Sequence, residues 1–281
     1  MIGQAGPVTI VADEAGGAAL DAAAYLRRLG YGGPTRPAAT TLAGLHLAHL
    51  RAVPFENLDI ARGQPISLQI ADLFDKIVRR RRGGFCYELN GLFAALLRQL
   101  AFQVTLLGAV FPRPPGLVAP ELDHLALLVA DPEGAGSWLA DVGAGRGSAA
   151  APLPFVTGQD HFDPVTGAWF RLEPEAGGLR LLRQDGAGPT PDVWAREYLL
   201  SDQPRTLDEF TAGADYHQTS PDSPFTRDRI CSLLTANGRV TLSGSRLIAT
   251  VNGVRHEREL ANEHEVRTVL RDQFGIDDLD I

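Results

Sequence analysis

Only two cysteines, Cys86 and Cys231, occur in 281 residues. That is too few for a disulfide framework or a cysteine-rich zinc site, so the chain is expected in a reducing cytoplasm with a thiol free to react. Basic side chains are also in deficit, 26 against 34 acidic ones for a net charge of −8, which is the wrong sign for a protein that grips nucleic acid by its phosphates. Lysine is almost missing. Lys76 is the single one among the basic residues, a bias read here as the codon composition of a G+C-rich genome rather than as chemistry. No apolar run approaches the ~18 residues needed to cross a bilayer, the longest clean stretch being Leu125 to Ala130. The expectation is a soluble, cytoplasmic protein with no nucleic-acid and no membrane partner. The apolar patch Gly6 to Ala12 is closed by Asp13 and Glu14 and has no basic residue before it, unlike a secretory signal. Residues 1–17 are therefore read as a flexible extension. What remains is long enough for one large domain or two to three small ones around a real core.

Changes in hydrophobic period divide the rest. From Leu20 to about Leu100 the pattern is helical, with Leu42, Leu45, Leu47 and Leu50 recurring at helical intervals after a Gly33-Pro34 break. Leu89, Leu92, Phe93, Leu96, Leu97 and Leu100 then mark a helix with one apolar face. Beyond Phe102 the period shortens. Val104 to Val110, Leu122 to Ala130 and Ser137 to Val142 read as strands, followed by Ala168 to Leu172 and Leu179 to Arg183, all between Gly and Pro clusters. From Thr206 the pattern mixes a helical start, strands at Arg239 to Leu242 and Arg246 to Asn252, and a closing helix at Asn262 to Phe274. The boundaries expected are 18–102, 103–205 and 206–281. Helices, then strands, then a mixed tail specify an α+β fold rather than a doubly wound sheet.

The chemistry concentrates around Cys86. In Arg79-Arg80-Arg81-Arg82-Gly83-Gly84-Phe85-Cys86 two glycines permit a sharp turn, and a helix starts at or just before the cysteine, where unpaired N–H groups favour a thiolate. The arginine run adds positive potential, with at least two of the four facing solvent. Against this stands the ordinary reading of a cysteine as a small packed hydrophobe, which fits Cys231, since it has neither a glycine turn nor a histidine nearby. A thiolate nucleophile needs a base. Among seven histidines, His124 alone lies inside an apolar strand, where an imidazole must find a partner; the alternative is one satisfied by a backbone carbonyl. If residues 131–136 form the turn of a hairpin, Ala130 faces Ser137 and Ala126 faces Asp141. Alternation then sets Asp141 diagonally beside His124 on one face, with Asp123 on the other. A bulge or an odd loop would break that relation.

Several blocks in order resemble the arylamine N-acetyltransferase family: 82–91 (RGGFCYELNG), 53–59 (VPFENLD), 124–129 (HLALLV), 138–143 (WLADVG), and more weakly 220–225 and 238–242. The resemblance implies Cys86, His124 and Asp141 as a catalytic triad. It also implies a helical bundle over 18–102, a β-barrel over 103–205 and an α/β lid over 206–281, on a papain-like cysteine enzyme core. The implied reaction passes an acetyl group from acetyl-coenzyme A (acetyl-CoA) through a Cys86 thioester to the nitrogen of an arylamine or hydrazine, with no metal. Phe55, Phe85 and Ala144 are the implied substrate-binding residues, and Glu56 and Arg82 a structural ion pair beside them. Ala144 departs from the family's usual aromatic and implies a roomier acceptor pocket. Some members of this superfamily are amide synthases that release a polyketide from an acyl carrier protein as a macrolactam, which is the second reading. A cysteine hydrolase or a binding module that kept the fold is a third, disfavoured because all three triad residues are present.

Overall fold

The structure is a computed structural model that describes residues 20–131, 134, 136–186 and 193–277. The expected extension at 1–17 and the last four positions of the tail lie outside the described residues. The chain begins with α1 (Ala22–Leu29), capped by the Asp21 carboxylate on the Ala24 N–H at 2.9 Å, and α2 (Ala39–Ala52). Next come a two-residue strand β1 (Phe55–Glu56), the short helices α3 (Leu58–Ala61) and α4 (Ile70–Phe74), a π-helical turn at Asp75–Arg79, and α5 (Cys86–Gln99). The amphipathic face expected for α5 is exceeded. Leu89, Leu92, Phe93, Leu96 and Leu97 are all fully buried, and so are Asn90 and Ala94, because α5 is enclosed by the other helices on one side and by strands on the other.

Eight strands follow or flank it: β2 (Val104–Val110), β3 (His124–Ala130), β4 (Ser137–Ala140), β5 (Leu153–Pro154), β6 (His161–Asp163), β7 (Ala168–Glu175), β8 (Gly178–Asp185) and β9 (Ala195–Arg205). They make one antiparallel sheet in the order β5-β4-β3-β2-β9-β8-β7-β6. Its ends nearly meet, since Thr157 just after β5 bridges Leu172 in β7 and the Gly158 N–H donates to the Leu172 carbonyl at 2.8 Å. The result is a nearly closed eight-stranded barrel. Strand β3 is buried on both faces for a reason visible in its alternation: Leu125, Leu127 and Val129 pack into the helical core, while Ala126 and Leu128 fill the barrel. The β3–β4 register matches the expected hairpin, Ala130 opposite Ser137 and Leu127 opposite Ala140.

The remaining chain forms α6 (Thr211–Thr219), then β10 (Ile230–Thr235), β11 (Gly238–Ser243), β12 (Arg246–Val251) and β13 (Val254–Glu259), and finally α7 (Glu263–Phe274). These four strands form a second sheet in chain order, with β1 added at the β10 edge through Phe55 opposite Ser232 and Glu56 opposite Cys231. Helix α7 covers one face, packing Val266, Val269, Leu270 and Phe274 on Cys231, Val240 and Leu242. Cys231 is thus a packed core thiol, as its surroundings in sequence suggested.

One steric constraint ties the pieces together. The 82–85 loop passes β1 so closely that the Glu56 N–H donates to the Gly84 carbonyl at 2.8 Å, and a Cβ on Gly83 would stand 1.9 Å from the Pro54 carbonyl oxygen. The Pro54 backbone and the buried Glu56 side chain leave nowhere for a methyl group to go. Gly83→Ala is expected to lower the unfolding free energy by about 3 kcal/mol, whereas Gly32→Ala, which meets nothing within 4 Å, changes it little; urea denaturation of the two variants checks this.

Candidate active site

Cys86 opens α5, and Phe85 before it is the extended N-cap residue. The Glu88 carboxylate turns back and accepts the Phe85 N–H at 3.1 Å, which fixes the first turn. Being the first residue of a helix places the Cys86 sulfur beside N–H groups that have no intrahelical acceptor. The residue is 4% exposed and borders a cavity of about 420 Å³. Burial pushes the thiol pKa up, and a hydrogen bond and the charge of His124 pull against that rise.

His124 begins β3. Its Nε2 meets Asp141 Oδ2 at 2.8 Å, which leaves the other ring nitrogen, Nδ1, for the thiol. Burial works against the imidazolium, but the Asp141 charge and hydrogen bond outweigh it and raise His124 to about 10. Asp141 follows directly after β4. Burial alone would raise it; the His124 charge, together with hydrogen bonds from His124, Asn90 and the Gly143 N–H, lowers it to about 2. The carboxylate is accordingly saturated with donors: Asn90 Nδ2 at 2.9 Å and the Gly143 N–H at 2.8 Å on Oδ1, and the Tyr198 hydroxyl at 2.9 Å on Oδ2 beside His124. A buried carboxylate needs such satisfaction to remain ionised.

Asn90 connects three elements. It donates to Asp141 and to the Leu125 carbonyl at 2.6 Å, and it accepts the Val142 N–H at 3.0 Å, so one amide ties α5 to β3 and to the end of β4. Gly143 allows the approach, since a Cβ there would lie 2.7 Å from Cys86 Cα and 2.6 Å from Asn90 Nδ2. Behind the carboxylate, His46 Nε2 accepts the Asp141 N–H at 3.1 Å. The sequence reading passed over Asn90, Tyr198 and His46. Asn90 had a signal, a polar residue one turn after the cysteine set between the apolar Leu89 and Leu92; Tyr198 lies on β9, a strand the period did not reveal.

The cavity is walled by Phe55, Phe111, Phe225 and Ile230 and floored by Cys86 and the 143–146 segment including Ala144. Phe55 and Ala144 thus face the cavity as expected. Phe85 does not. Its fully buried ring packs on Tyr87, His217 and Phe225, because the N-cap geometry turns it into the core beneath the helix start. His217, in α6, lines the cavity with Asp123. Asp123 lies just before β3 and has partners of its own: it accepts from the Phe111 N–H at 3.1 Å and from Arg113, with His217 Nε2 at 3.2 Å.

Glu56 and Arg82 pair as expected, Arg82 Nη2 to Glu56 Oε1 at 2.8 Å with both side chains buried. The arginine run turns at least two of its members to solvent, as expected, but does not put its charge at the thiol. Arg79, Arg80 and Arg81 are exposed, and the Arg82 charge is taken up by Glu56 and by Asp59 at 2.9 Å. Positive potential at the thiol therefore comes from the helix start and His124, not from the run. Among the described residues no group of three or more His, Cys, Asp or Glu side chains is arranged to hold a metal ion.

Comparison with known proteins gives a consistent result. A family model described as N-acetyltransferase matches residues 39–280. The pineal gland arylamine N-acetyltransferase isozyme NAT-3 of Gallus gallus is 35% identical over 277 residues, covering 92% of this chain and 94% of that protein. The arylamine N-acetyltransferase of Mycobacterium tuberculosis is 34% identical over 266 residues, with 94% and 92% covered. Its solved structure superposes with a TM-score of 0.84 at 34% identity, covering 93% of this chain and 95% of that one. The Mycobacterium marinum enzyme in complex with CoA superposes at 0.83 with 33% identity, covering 92% and 93%.

The hydrogen-bond chain makes a pH-dependent prediction. Asp141 favours the imidazolium, and the imidazolium favours the thiolate, so Asp141→Asn should move the pH profile of Cys86 alkylation to higher pH and slow the reaction at neutral pH. Iodoacetamide labelling followed by peptide mapping is expected to show this shift, with Cys231 labelled only after unfolding in both proteins.

Proposed function

The chain belongs to the arylamine N-acetyltransferase family, and on that premise we propose that Cys86, His124 and Asp141 are the residues that move an acetyl group from acetyl-CoA to the nitrogen of an arylamine or hydrazine. The observation that carries this assignment is the unbroken hydrogen-bond chain from Cys86 through His124 to Asp141, ending in a thiol that faces an apolar cavity. In the first step the Cys86 thiolate attacks the thioester carbonyl. The oxyanion that forms lies at the α5 start, where the Cys86 N–H is a donor. The intermediate collapses with loss of the CoA sulfur, which takes the proton held on His124. In the second step the amine attacks the Cys86 thioester, His124 accepts the proton lost by nitrogen, and the thiolate departs. Asp141 keeps the imidazole in the orientation both steps need. A covalent intermediate divides one difficult transfer into two easier ones.

Phe55 and Ala144, which both line the cavity, are read as contacts of the acceptor ring, and Glu56 and Arg82 as scaffold beneath them. Phe85 is reassigned to that scaffold. With only a methyl group at Ala144, the cavity has room for an acceptor larger than aniline. A carrier-bound acyl chain in place of acetyl-CoA would use the same thiol and is tested by the same kinetics. The unpaired Cys86 thiol has to stay reduced to act, which supports a cytoplasmic location; among the described residues no helix is long and apolar enough to cross a membrane.

Initial rates with acetyl-CoA and an arylamine are expected to follow ping-pong kinetics, with parallel double-reciprocal lines. Acetyl transfer is expected to exceed by far any turnover of a carrier-bound chain, and intersecting lines would overturn the two-step reading. Ala144→Phe should raise KM for a naphthylamine by roughly tenfold while leaving aniline within about twofold, the scale expected when a hydrophobic pocket loses the space for part of a ring.

A further inference from the structure

The single lysine of the chain does not lie on the surface. Lys76 is 5% exposed, in the π-helical turn at Asp75–Arg79, a local geometry that is rare and often found beside functional sites. Its Nζ is 2.7 Å from Glu88 Oε1 and 2.7 Å from Asp59 Oδ2. Glu88 Oε2 is the atom that accepts the Phe85 N–H and so fixes the start of α5. On the other arm, Asp59 shares Arg82 with Glu56, and the Glu56 Oε2 accepts the Leu58 N–H at 2.8 Å next to the cavity residue Phe55. One ammonium therefore joins the carboxylate that sets the nucleophile's helix to the carboxylates that set the cavity wall.

We propose that Lys76 is a positioning residue for Cys86, holding the Glu88 carboxylate in place so that it caps the α5 N-terminus and fixes the thiol against His124. This rests on the reading of Cys86 as the nucleophile. Codon composition does not account for it, since arginine fills every other basic position in the sequence. The site explains the exception: a compact ammonium with three donors fits between two carboxylate oxygens at 2.7 Å, whereas a planar guanidinium is larger and has its donors in a fixed fork. The groups facing Glu88 are Lys76 from the π turn, Glu56 from β1, and the Phe85 N–H. Burial pushes Glu88 up, and Lys76 is the cation that opposes the rise. Without Lys76 the carboxyl takes up a proton or stands uncompensated, and in either form it caps the helix less well.

The test uses the full chain, with the rate of Cys86 alkylation by iodoacetamide followed against pH by mass spectrometry. Lys76→Met is expected to slow alkylation at neutral pH about tenfold and to move its profile up by about one pH unit, equivalent to one another for a thiolate reaction. The double variant Lys76→Gln with Glu88→Gln keeps a neutral hydrogen-bonded pair in the same space, and is expected to return alkylation to within about threefold of the wild type. It also serves if Lys76→Met does not fold. A folded Lys76→Met with the wild-type profile would overturn the proposal, and so would a double variant at least tenfold slower than wild type. Acetyl-CoA loading of wild-type Cys86, measured alongside, separates the two claims: absence of the acetyl adduct sinks the nucleophile reading, while the alkylation series still scores the role of Lys76.

Discussion

Everything in this active site depends on keeping one buried carboxylate charged. Asp141 is 7% exposed, and an uncompensated carboxylate there would protonate or destabilise the fold. Four donors prevent this: His124, Asn90, Tyr198 and the Gly143 N–H. They come from the β3–β4 hairpin, helix α5, strand β9 and the loop after β4, so satisfying Asp141 requires the helical part and the barrel to be assembled together. The same charge sustains the His124 imidazolium, which in turn opposes the burial that would leave Cys86 a neutral thiol. Fold and reactivity are two consequences of a single electrostatic requirement.

A second charge cluster does comparable work beneath the helix start. Arg82 and Lys76 sit among Glu56, Asp59 and Glu88, and Arg28 donates to the carbonyls of Ile77, Ala52, Arg81 and Arg82 at 2.6–3.3 Å. Breaking one partner of a buried ion pair leaves the other unpaired, at a cost of about 3–5 kcal/mol. Such a cluster contributes little as net stability compared with apolar packing, but it admits few alternative arrangements. It therefore suits a segment in which the loop at 82–85 must pass against β1 with no room for a side chain at Gly83.

Much of this was legible in the sequence where local physics decides. The α5 start was visible from Gly83-Gly84 and the leucine spacing, and the diagonal relation of His124 to Asp141 from the hairpin parity, because alternation and turn length are local properties. Nonlocal features were hidden. Strand β9 mixes polar residues and Pro204 with its apolar ones and pairs with β2, some ninety residues earlier, through a bulge, so neither its period nor Tyr198 stood out. The family resemblance implied a substrate contact at Phe85, yet the cap geometry sends its ring inward. The arginine run looked like a field at the thiol, but the field of Arg82 is cancelled by acids twenty-three and twenty-six residues before it. Lys76 carries no local mark in the sequence beyond being the single lysine, because its two carboxylate partners, Asp59 and Glu88, come from other elements.

The central claim is that the thiol held by His124 and Asp141 carries the acetyl group between donor and acceptor. Intact-protein and peptide mass spectrometry after rapid mixing with acetyl-CoA measures this most directly. The account predicts one acetyl group on Cys86, formed within the turnover time and discharged on adding an arylamine with matching release of the N-acetylated product. An acetyl group on another residue, or an adduct on Cys86 that the amine does not discharge, would contradict it.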